Sequence, residues 1–317
     1  MTVETLLRML LAVILLGLAA RAILARDAFA AVVAFVVFGL LVAVAWVALG
    51  AVDVALTEAA IGGGVTGALL IGAAGADRAK KISASRKREP GVIIKVFAAL
   101  LCALVTTVMA VAWFSLPVPA PTLAPQAVEA MPRLGLGNPV TAVLIGYRGW
   151  DTLLEKVVLG LALAGVWALG ADARWGGRPG CLQPRNPNDP LALLARLLAP
   201  PAILFAIHLL WTGADHPGGA FQAGTILATM GILVVLAGLA DYPALSRRAV
   251  RLAAVAGTLV FVLAGIVGFA LPGGFLSFPE AIAKPVIVVV EVALVFSIGV
   301  TLCLLVAGPP RRKEDQP

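Results

Sequence analysis

The feature that most constrains the fold of this chain is a series of long apolar runs separated by short loops. Nine such runs are present, at residues 4–24, 28–49, 53–74, 92–114, 151–170, 191–211, 220–240, 251–271 and 284–307. Each is close to the roughly 20 residues that a helix needs to cross the hydrocarbon core of a bilayer. The runs are continuous and do not alternate as barrel strands do. The sequence therefore predicts an all-α, polytopic transmembrane helical bundle of about nine spans.

Composition and charge support a membrane location. The chain is 61% hydrophobic and 13% charged, whereas soluble domains have about 25% charged residues. The net charge of +7 does not indicate nucleic-acid binding, because the basic residues lie mainly in the loops after spans 1, 3, 5, 7 and 9. By the positive-inside rule, the N-terminus is outside and the C-terminus cytoplasmic. We expect a multi-pass protein of the bacterial inner membrane whose start, MTVETLLRML, is a retained first span.

Two loops divide the chain into three predicted blocks. The segment 115–139 is rich in proline and too polar to span, so we expect it to lie over the outer surface in extended form. The inner loop 171–190 is a second divider. The predicted blocks are 1–114 with spans 1–4, 115–190 with span 5, and 191–317 with spans 6–9. The charged loop 76–91 is expected to anchor on anionic lipid rather than to bind a partner.

The third span contains Thr57 and Glu58 close to its start. A carboxylate within lipid is costly, so it usually faces protein or water and marks an ion path. Glu58 is either an interfacial acid at a helix start that Asp53 already caps, or a buried carboxylate that exchanges protons near neutral pH. A group of glycines follows and either allows a neighbouring helix to approach closely or produces a local bulge: Gly62, Gly63 and Gly64.

The fifth span opens with Asp151, Thr152, Glu155 and Lys156. Asp151 and Glu155 are four residues apart and share one helix face, which suits an ion site. Thr152 and Glu155 also form the pattern of a capping box, which needs no transport role. The residues leave these two interpretations open. Lys156 points away from Glu155 and requires a partner on another helix.

Two further spans contain ionisable residues. Glu291 lies deep in span 9 with no capping role, so it is predicted to be functional, with Lys284 or a residue of another span as its partner. His208 in span 6 is either a packing residue or a proton carrier. The turn after it is too rich in glycine for regular helix and includes Gly218 and Gly219. Irregular backbone at membrane depth requires protein or water to satisfy it.

Motifs of enzymatic chemistry are absent from the sequence. It contains no phosphate-binding loop, dinucleotide-binding fingerprint, paired-cysteine metal motif or nucleophile elbow. The expectation is a transporter subunit rather than an enzyme, with no cofactor and no resident metal.

Three segments resemble one family. DVALTEAAIGGGVTGALL resembles the C-terminal region of the large A subunit of Mrp-type multi-subunit sodium/proton antiporters, and a small subunit of membrane-bound hydrogenases. NPVTAVLIGYRGWDTLLEKVVLGLALAGV resembles the next domain of the same proteins. HPGGAFQAGTILA, with a final span that carries an acid, is similar to the B subunit. Together these segments resemble a fusion that covers nearly the whole chain.

The resemblance implies roles for particular residues. Glu58 and Glu155 match acidic positions that the family uses in ion transfer, and Glu291 matches the acid of the B subunit. Two positions depart from the family pattern: Leu154 stands where a glycine is common, and Ala220 replaces the third glycine of PGGGF. The large antiporter-like core is not in this chain. The implied partners are therefore other membrane subunits, including a large antiporter-like subunit and a small complex-I K-like subunit, within the lipid bilayer.

The sequence thus predicts an accessory membrane subunit of a Na⁺/H⁺ antiporter complex, in which Glu58, Glu155 and Glu291 form part of an ion path in the outer half. One alternative is a membrane-arm subunit of a redox-driven ion pump, either complex-I-like or a membrane-bound hydrogenase. A second alternative is a structural scaffold without an ion path.

Overall fold

A computed structural model describes residues 2–83, 91–180 and 189–311. The predictions made for the loops 76–91 and 171–190 fall partly on residues 84–90 and 181–188, which lie outside the described residues. The α-helices are α1 (Val3–Leu24), α2 (Ala28–Ala48), α3 (Val52–Thr57), α4 (Thr66–Ser83), α5 (Val92–Ser115), α6 (Ala124–Ala130), α7 (Pro139–Thr141), α8 (Gly149–Ala168), α9 (Pro190–Thr212), α10 (Ala220–Leu236), α11 (Arg248–Gly268) and α12 (Ala283–Ala307). Two π-helical segments are π1 (Glu58–Val65) and π2 (Ala142–Tyr147).

Three short 3₁₀ turns and one β pairing complete the described part of the chain. The 3₁₀ turns are Met131–Leu134, Asp172–Arg174 and Glu280–Ile282. The strands β1 (Arg178–Pro179) and β2 (Pro310–Arg311) pair antiparallel. This pairing ties the loop after α8 to the end of α12.

The predicted all-α membrane fold is confirmed. Helices occupy all nine positions at which the sequence predicts spans, and within the described residues seven are long and apolar enough to cross a bilayer. The other two differ for separate reasons. α8 has three charged side chains in its first half, and α10 has only 17 residues. The count of nine spans and the orientation of the termini remain predictions.

The proline-rich segment 115–139 departs from its predicted extended form. It contains α6 and a 3₁₀ turn, Met131–Leu134. The prediction was wrong here because Pro125 and Pro132 stand in the first turns of these elements. A proline at that position loses no helical hydrogen bond, and its fixed φ suits a helix start.

α12 is the central helix of the bundle. It packs against α8, α9, α10 and α11, and more than half of its apolar stretch is buried. Its neighbours approach closely where they have glycine: a Cβ at Gly224 would lie 2.9 Å from Ile298, and one at Gly257 would lie 2.9 Å from Ser297. Small residues of this kind allow helices to pack closely in a membrane. α1 and α5, in contrast, have no buried residue.

The N-terminal helices pack onto this bundle through α3 and π1. α3 and π1 contact α10, whereas α2 packs against α3, π1 and α4, and α1 packs against α2. π1 coincides with the glycine cluster, where the helix is weakly favoured and a wider turn is tolerated. The start of α3 and the start of α10 therefore lie side by side.

Candidate functional site

A cavity of about 320 Å³ lies where the starts of several helices meet. Its walls come from α3, the α7–π2 turn, α8, the start of α10, and α12. Three carboxylate residues line it: Asp53, Glu155 and Glu291. The space has room for several waters, because one water needs only about 10–15 Å³ of such volume. The cavity therefore brings together acids that are far apart in the sequence.

Glu291 is the buried acid of the cavity. Its residue is 2% exposed, and its carboxylate accepts a hydrogen bond from the backbone N–H of Ala220, the first residue of α10. The N-terminus of a helix favours an anion there. The second carboxylate oxygen, Oε2, has no hydrogen-bond partner among the described residues. A buried oxygen of this kind is free to bind a proton or a cation.

Glycines of the preceding turn make room for this carboxylate. Gly218 and Gly219 have φ values of +157° and +129°, which residues other than glycine rarely adopt. A Cβ at Gly219 would lie 3.5 Å from Glu291 Oε1, and one at Gly218 would clash with the carbonyl oxygen of Leu209. The irregular backbone expected at this turn is present, and it sets the position of the α10 N-terminus.

Glu155 is exposed and lines the same cavity from α8. The predicted capping box is absent. The Thr152 hydroxyl donates a hydrogen bond to the carbonyl oxygen of Leu144 at 2.6 Å. Arg148 occupies the N-cap position, and its side chain makes no capping hydrogen bond to the helix backbone. The capping interpretation was wrong because the Thr152 hydroxyl bonds to a carbonyl oxygen of the preceding π2 segment and does not cap the start of α8. Asp151 does not join Glu155 in the cavity, since it is exposed and forms an ion pair with Arg148.

Lys156 points away from the cavity into the interface between α8 and α12. It is 1% exposed, and its Nζ donates to Thr301 Oγ1 at 3.1 Å and to the carbonyl oxygen of Ser297 at 3.4 Å. Both acceptors are neutral. The partner helix that Lys156 requires is thus α12, and the amino group lies without a hydrogen-bonded carboxylate among the described residues.

Asp53 has a role that sequence reasoning missed. It was interpreted as a helix cap, which is wrong, because Ala51 holds the N-cap position and makes no side-chain cap bond. The Asp53 carboxylate instead accepts from the N–H of Gly218 at 2.9 Å and from Asn138 Nδ2 at 3.4 Å. Asp53 therefore ties the start of α3 to the glycine turn before α10. No local pattern signals this contact, because Gly218 is 165 residues away in sequence.

Thr57 lines the cavity one turn after Asp53. Its hydroxyl donates to the carbonyl oxygen of Asp53 at 3.0 Å and accepts from Gln222 Nε2 at 3.1 Å. Gln222, which the sequence analysis did not select, is 7% exposed and belongs to the first turn of α10. Its position directly after the PGGAF turn is the only sequence signal that points to it.

Glu58 is half-buried and is not among the residues that line the cavity. It begins π1, and its carboxylate lies against glycines: a Cβ at Gly62 would clash with Oε1, and one at Gly39 of α2 would lie 3.4 Å from it. Among the described residues, the Glu58 side chain makes no hydrogen bond or ion pair. The glycines thus leave space for this carboxylate between π1 and α2.

The other glycines of the cluster serve helix approach. A Cβ at Gly63 would lie 3.0 Å from Leu40, and one at Gly67 would lie 2.7 Å from Val36, both on α2. A Cβ at Gly64, in contrast, would meet only the carbonyl oxygen of Ala59 in its own helix, at 3.2 Å. Both alternatives for the cluster are therefore present, since the helix bulges and also packs closely.

Two predicted residues lie elsewhere. His208 is exposed on α9 and stacks on Phe205, with 6.5 Å between the ring centroids. Lys284 is not the partner of Glu291, as its Nζ pairs with both carboxylate oxygens of Asp215 at 2.7 Å. The pairing was wrong because the glycine turn brings Asp215 over the start of α12. This hydrogen bond to Lys284 holds the pKa of Asp215 below its usual value.

The fold and the cavity define a class: a multi-pass helical membrane protein with a cluster of acids between its helices. Comparison with protein families narrows this class. Residues 190–308 match a domain related to the MnhB subunit of Na⁺/H⁺ antiporters, and residues 13–76 match MbhD, a subunit of membrane-bound hydrogenase. These two parts of the chain are thus related to subunits of Na⁺/H⁺ antiporters and of membrane-bound hydrogenases. A comparison with curated proteins finds no significant match.

Two solved structures share the fold. A chain of the Mrp complex from Dietzia sp. superposes with a TM-score of 0.71 and 21% identity, over 97% of this chain and 35% of that one. The present chain therefore spans about a third of the length of that relative. A chain of an archaeal respiratory complex, the membrane-bound sulfane sulfur reductase, gives a TM-score of 0.55 and 25% identity, over 68% of this chain and 97% of that one.

Proposed function

We propose that this chain is an accessory membrane subunit of a multi-subunit Na⁺/H⁺ antiporter complex of the bacterial inner membrane. The match of residues 190–308 to a domain related to an antiporter subunit supports this proposal. The partners are other membrane subunits, including a large antiporter-like subunit and a small complex-I K-like subunit. The division into blocks 1–114, 115–190 and 191–317 is part of the same proposal, and the two family matches fall in its first and third blocks.

Within this subunit, Glu291 and Glu155 form an ion site in the cavity. The observation that carries this step is the buried Oε2 of Glu291, which has no partner among the described residues and lies on a cavity that Glu155 also lines. An ionisable residue at membrane depth that lacks a structural partner is functional by default. A proton and Na⁺ would compete for the same carboxylate, and this competition is the elementary step of exchange.

Glu58 is a second station in the proposal. Its carboxylate has no partner among the described residues and lies in the space that Gly39 and Gly62 leave. Transient Na⁺ binding at Glu58 belongs to this step. Thr57 lines the cavity and stands next to Glu58 in the chain. The positions of Asp151 and His208 at the surface give no support to a role in the path.

The test uses everted vesicles that contain the complete complex. A preformed pH gradient is monitored with a fluorescent dye, and its dissipation on addition of Na⁺ is measured. We expect Glu291→Gln to abolish the sodium response while the complex still assembles. The matched control is Glu280→Gln, because Glu280 is an exposed acid that does not line the cavity. An undiminished sodium response in Glu291→Gln would contradict the proposal that this subunit contains the ion site.

A redox-driven ion pump is the second candidate, and the likeness to a chain of an archaeal respiratory complex favours it. The discriminating measurement is the iron and acid-labile sulfide content of the purified complex. Stoichiometric iron–sulfur clusters would favour the redox pump, and their absence would favour the antiporter. A structural scaffold is the third candidate. It requires that Glu58, Glu155 and Glu291 can all be replaced by glutamine without any change in transport.

A further inference from the structure

A second cavity lies at the end of the bundle where α10 and α12 end and α11 begins. It has a volume of about 430 Å³, and its lining residues differ from those of the acid-lined cavity. This volume is within the roughly 300–1,000 Å³ of ordinary ligand pockets. The only polar side-chain atoms on its lining, among the described residues, are the hydroxyl of Tyr242 and the thiol of Cys303. An apolar pocket at the end of a membrane bundle suits a hydrocarbon chain.

Tyr242 is the polar group at the boundary of this pocket. It is 8% exposed, and its hydroxyl makes no hydrogen bond to any described residue. Its ring lies against the backbone of Gly180, where a Cβ would be 2.9 Å away. The hydroxyl oxygen is not among the fully buried atoms that lack a partner, so it is accessible and can donate to an acceptor on whatever occupies the pocket.

Three arginines lie at the start of α11, and two of them, Arg247 and Arg248, belong to the proposed site, because Arg251 lines a separate cavity beside Trp167 and Trp175. Arg247, Arg248 and Arg251 are exposed and lie within two residues of Ala249 and Val250, which line the pocket. None of the three pairs with a carboxylate in the described part of the chain, and Arg251 donates only to the carbonyl oxygen of Ser246. No side chain caps the start of α11. Its free N–H groups and the helix dipole add to the attraction for an anion.

We propose that this pocket binds one anionic phospholipid from the membrane. One acyl chain fills the apolar cavity, a glycerol ester carbonyl accepts a hydrogen bond from the Tyr242 hydroxyl, and the phosphate lies at Arg247 and Arg248. Basic sites at the membrane surface between helices recognise anionic head groups in this manner. The apolar wall, the hydroxyl and the cations match the tail, the ester and the phosphate of one molecule. The site is independent of the proposed ion path.

The test uses the purified complex in a mild detergent, with native mass spectrometry and phosphate analysis of the lipid that remains bound. Phosphatidylglycerol and phosphatidylcholine are then titrated separately into delipidated complex. We expect one phosphatidylglycerol per chain to be retained, and phosphatidylcholine to bind more weakly. Replacing Arg247 or Arg248 by glutamine should weaken phosphatidylglycerol binding about fivefold, so that the double variant loses about twenty-fivefold.

Two further variants separate the parts of the site. Ala253→Phe fills the pocket and should remove the bound lipid, whereas Tyr242→Phe removes only the hydroxyl and should weaken binding several-fold. The controls are Arg196→Gln, an exposed arginine on α9, and Ala164→Phe, an exposed position on α8. Equal binding of both lipids, or unchanged retention in the arginine variants, would overturn the proposal. So would release of a partner subunit by Ala253→Phe with the lipid content unchanged.

Discussion

Glu291 differs from Asp53, Asp151 and Asp215 in how its charge is compensated. Asp151 has Arg148, Asp215 has Lys284, and Asp53 has two hydrogen-bond donors. Glu291 is as buried as any of them, yet one of its oxygens has no partner in the described residues. Leaving a buried polar atom unpaired costs free energy. Because it lies at a cavity wall, a proton, a cation or water can reach and satisfy it.

Lys156 presents the opposite case, a buried cationic group held by neutral oxygens. Its hydrogen bond to Thr301 is its shorter one, at 3.1 Å. Loss of one acceptor leaves a charged donor unsatisfied in the interior, which is more costly than loss of an ordinary hydrogen bond.

Thr301→Val keeps the shape of the side chain and removes this acceptor, so we expect a loss of about 1–3 kcal/mol in unfolding free energy. Thermal unfolding of the purified protein in detergent measures it. The control is Thr229→Val, because Thr229 also bonds the carbonyl four residues earlier but holds no lysine. Equal destabilisation by the two variants would show that the lysine contact adds nothing.

The Asp215–Lys284 pair predicts an acid-sensitive contribution to stability. Hydrogen bonding to Lys284 lowers the pKa of Asp215 in the folded protein, whereas an unfolded aspartate has a pKa of about 3.9. The stabilisation is therefore present above that unfolded value and is lost as the pH falls through the folded value. We expect Asp215→Asn to lower the unfolding temperature at pH 6 and to have little effect near pH 2. A difference that persists unchanged at pH 2 would contradict the ion-pair explanation.

At the scale of elements, two irregular segments position the acids. π1 places Glu58 against the glycines of α2 and its own helix, and the glycine turn places the N–H of Ala220 at Glu291 and the N–H of Gly218 at Asp53. Regular helix at either segment would rotate the following residues and move these groups. The glycines are therefore required by geometry at the turn itself.

Gly218→Ala should destabilise the protein by about 1–3 kcal/mol, since it combines an unfavourable φ with a clash against a backbone oxygen. Gly160→Ala on α8 is the matched control. A Cβ there meets nothing within 4 Å, so alanine should stabilise the helix by up to about 1 kcal/mol. Thermal unfolding of both variants decides the matter, and a neutral Gly218→Ala would show that the turn tolerates a side chain.

At the scale of the whole molecule, the acid-lined cavity belongs to no single block. Asp53 comes from the first block, Glu155 from the second, and Glu291 from the third. The first and third predicted blocks are joined at this place by the Asp53–Gly218 hydrogen bond and by the contact of Thr57 with Gln222, and Asn138 of the second predicted block donates to Asp53. A site made in this way exists only when all three blocks are packed together.

Groups that act on one ion in one cavity should not behave additively. We expect the double variant Glu155→Gln with Glu291→Gln to lose no more of the sodium response than the more affected single variant. The vesicle assay with Na⁺ pulses measures this, with Glu280→Gln in place of Glu155→Gln as the control pairing. Losses that multiply would indicate that the two acids serve separate steps.

The sequence by itself determined the membrane class and the positions of the helices, because twenty-residue apolar runs have few other solutions in water or lipid. It also selected Glu291 and Glu155 as candidates, since a charge in such a run stands out whatever the packing. The chain alone could not show that Asp53 is an acceptor for Gly218, or that Lys284 pairs with Asp215 rather than Glu291. Only tertiary structure decided these contacts, because hydrogen bonds between distant segments depend on how the helices pack, and the local pattern does not encode it.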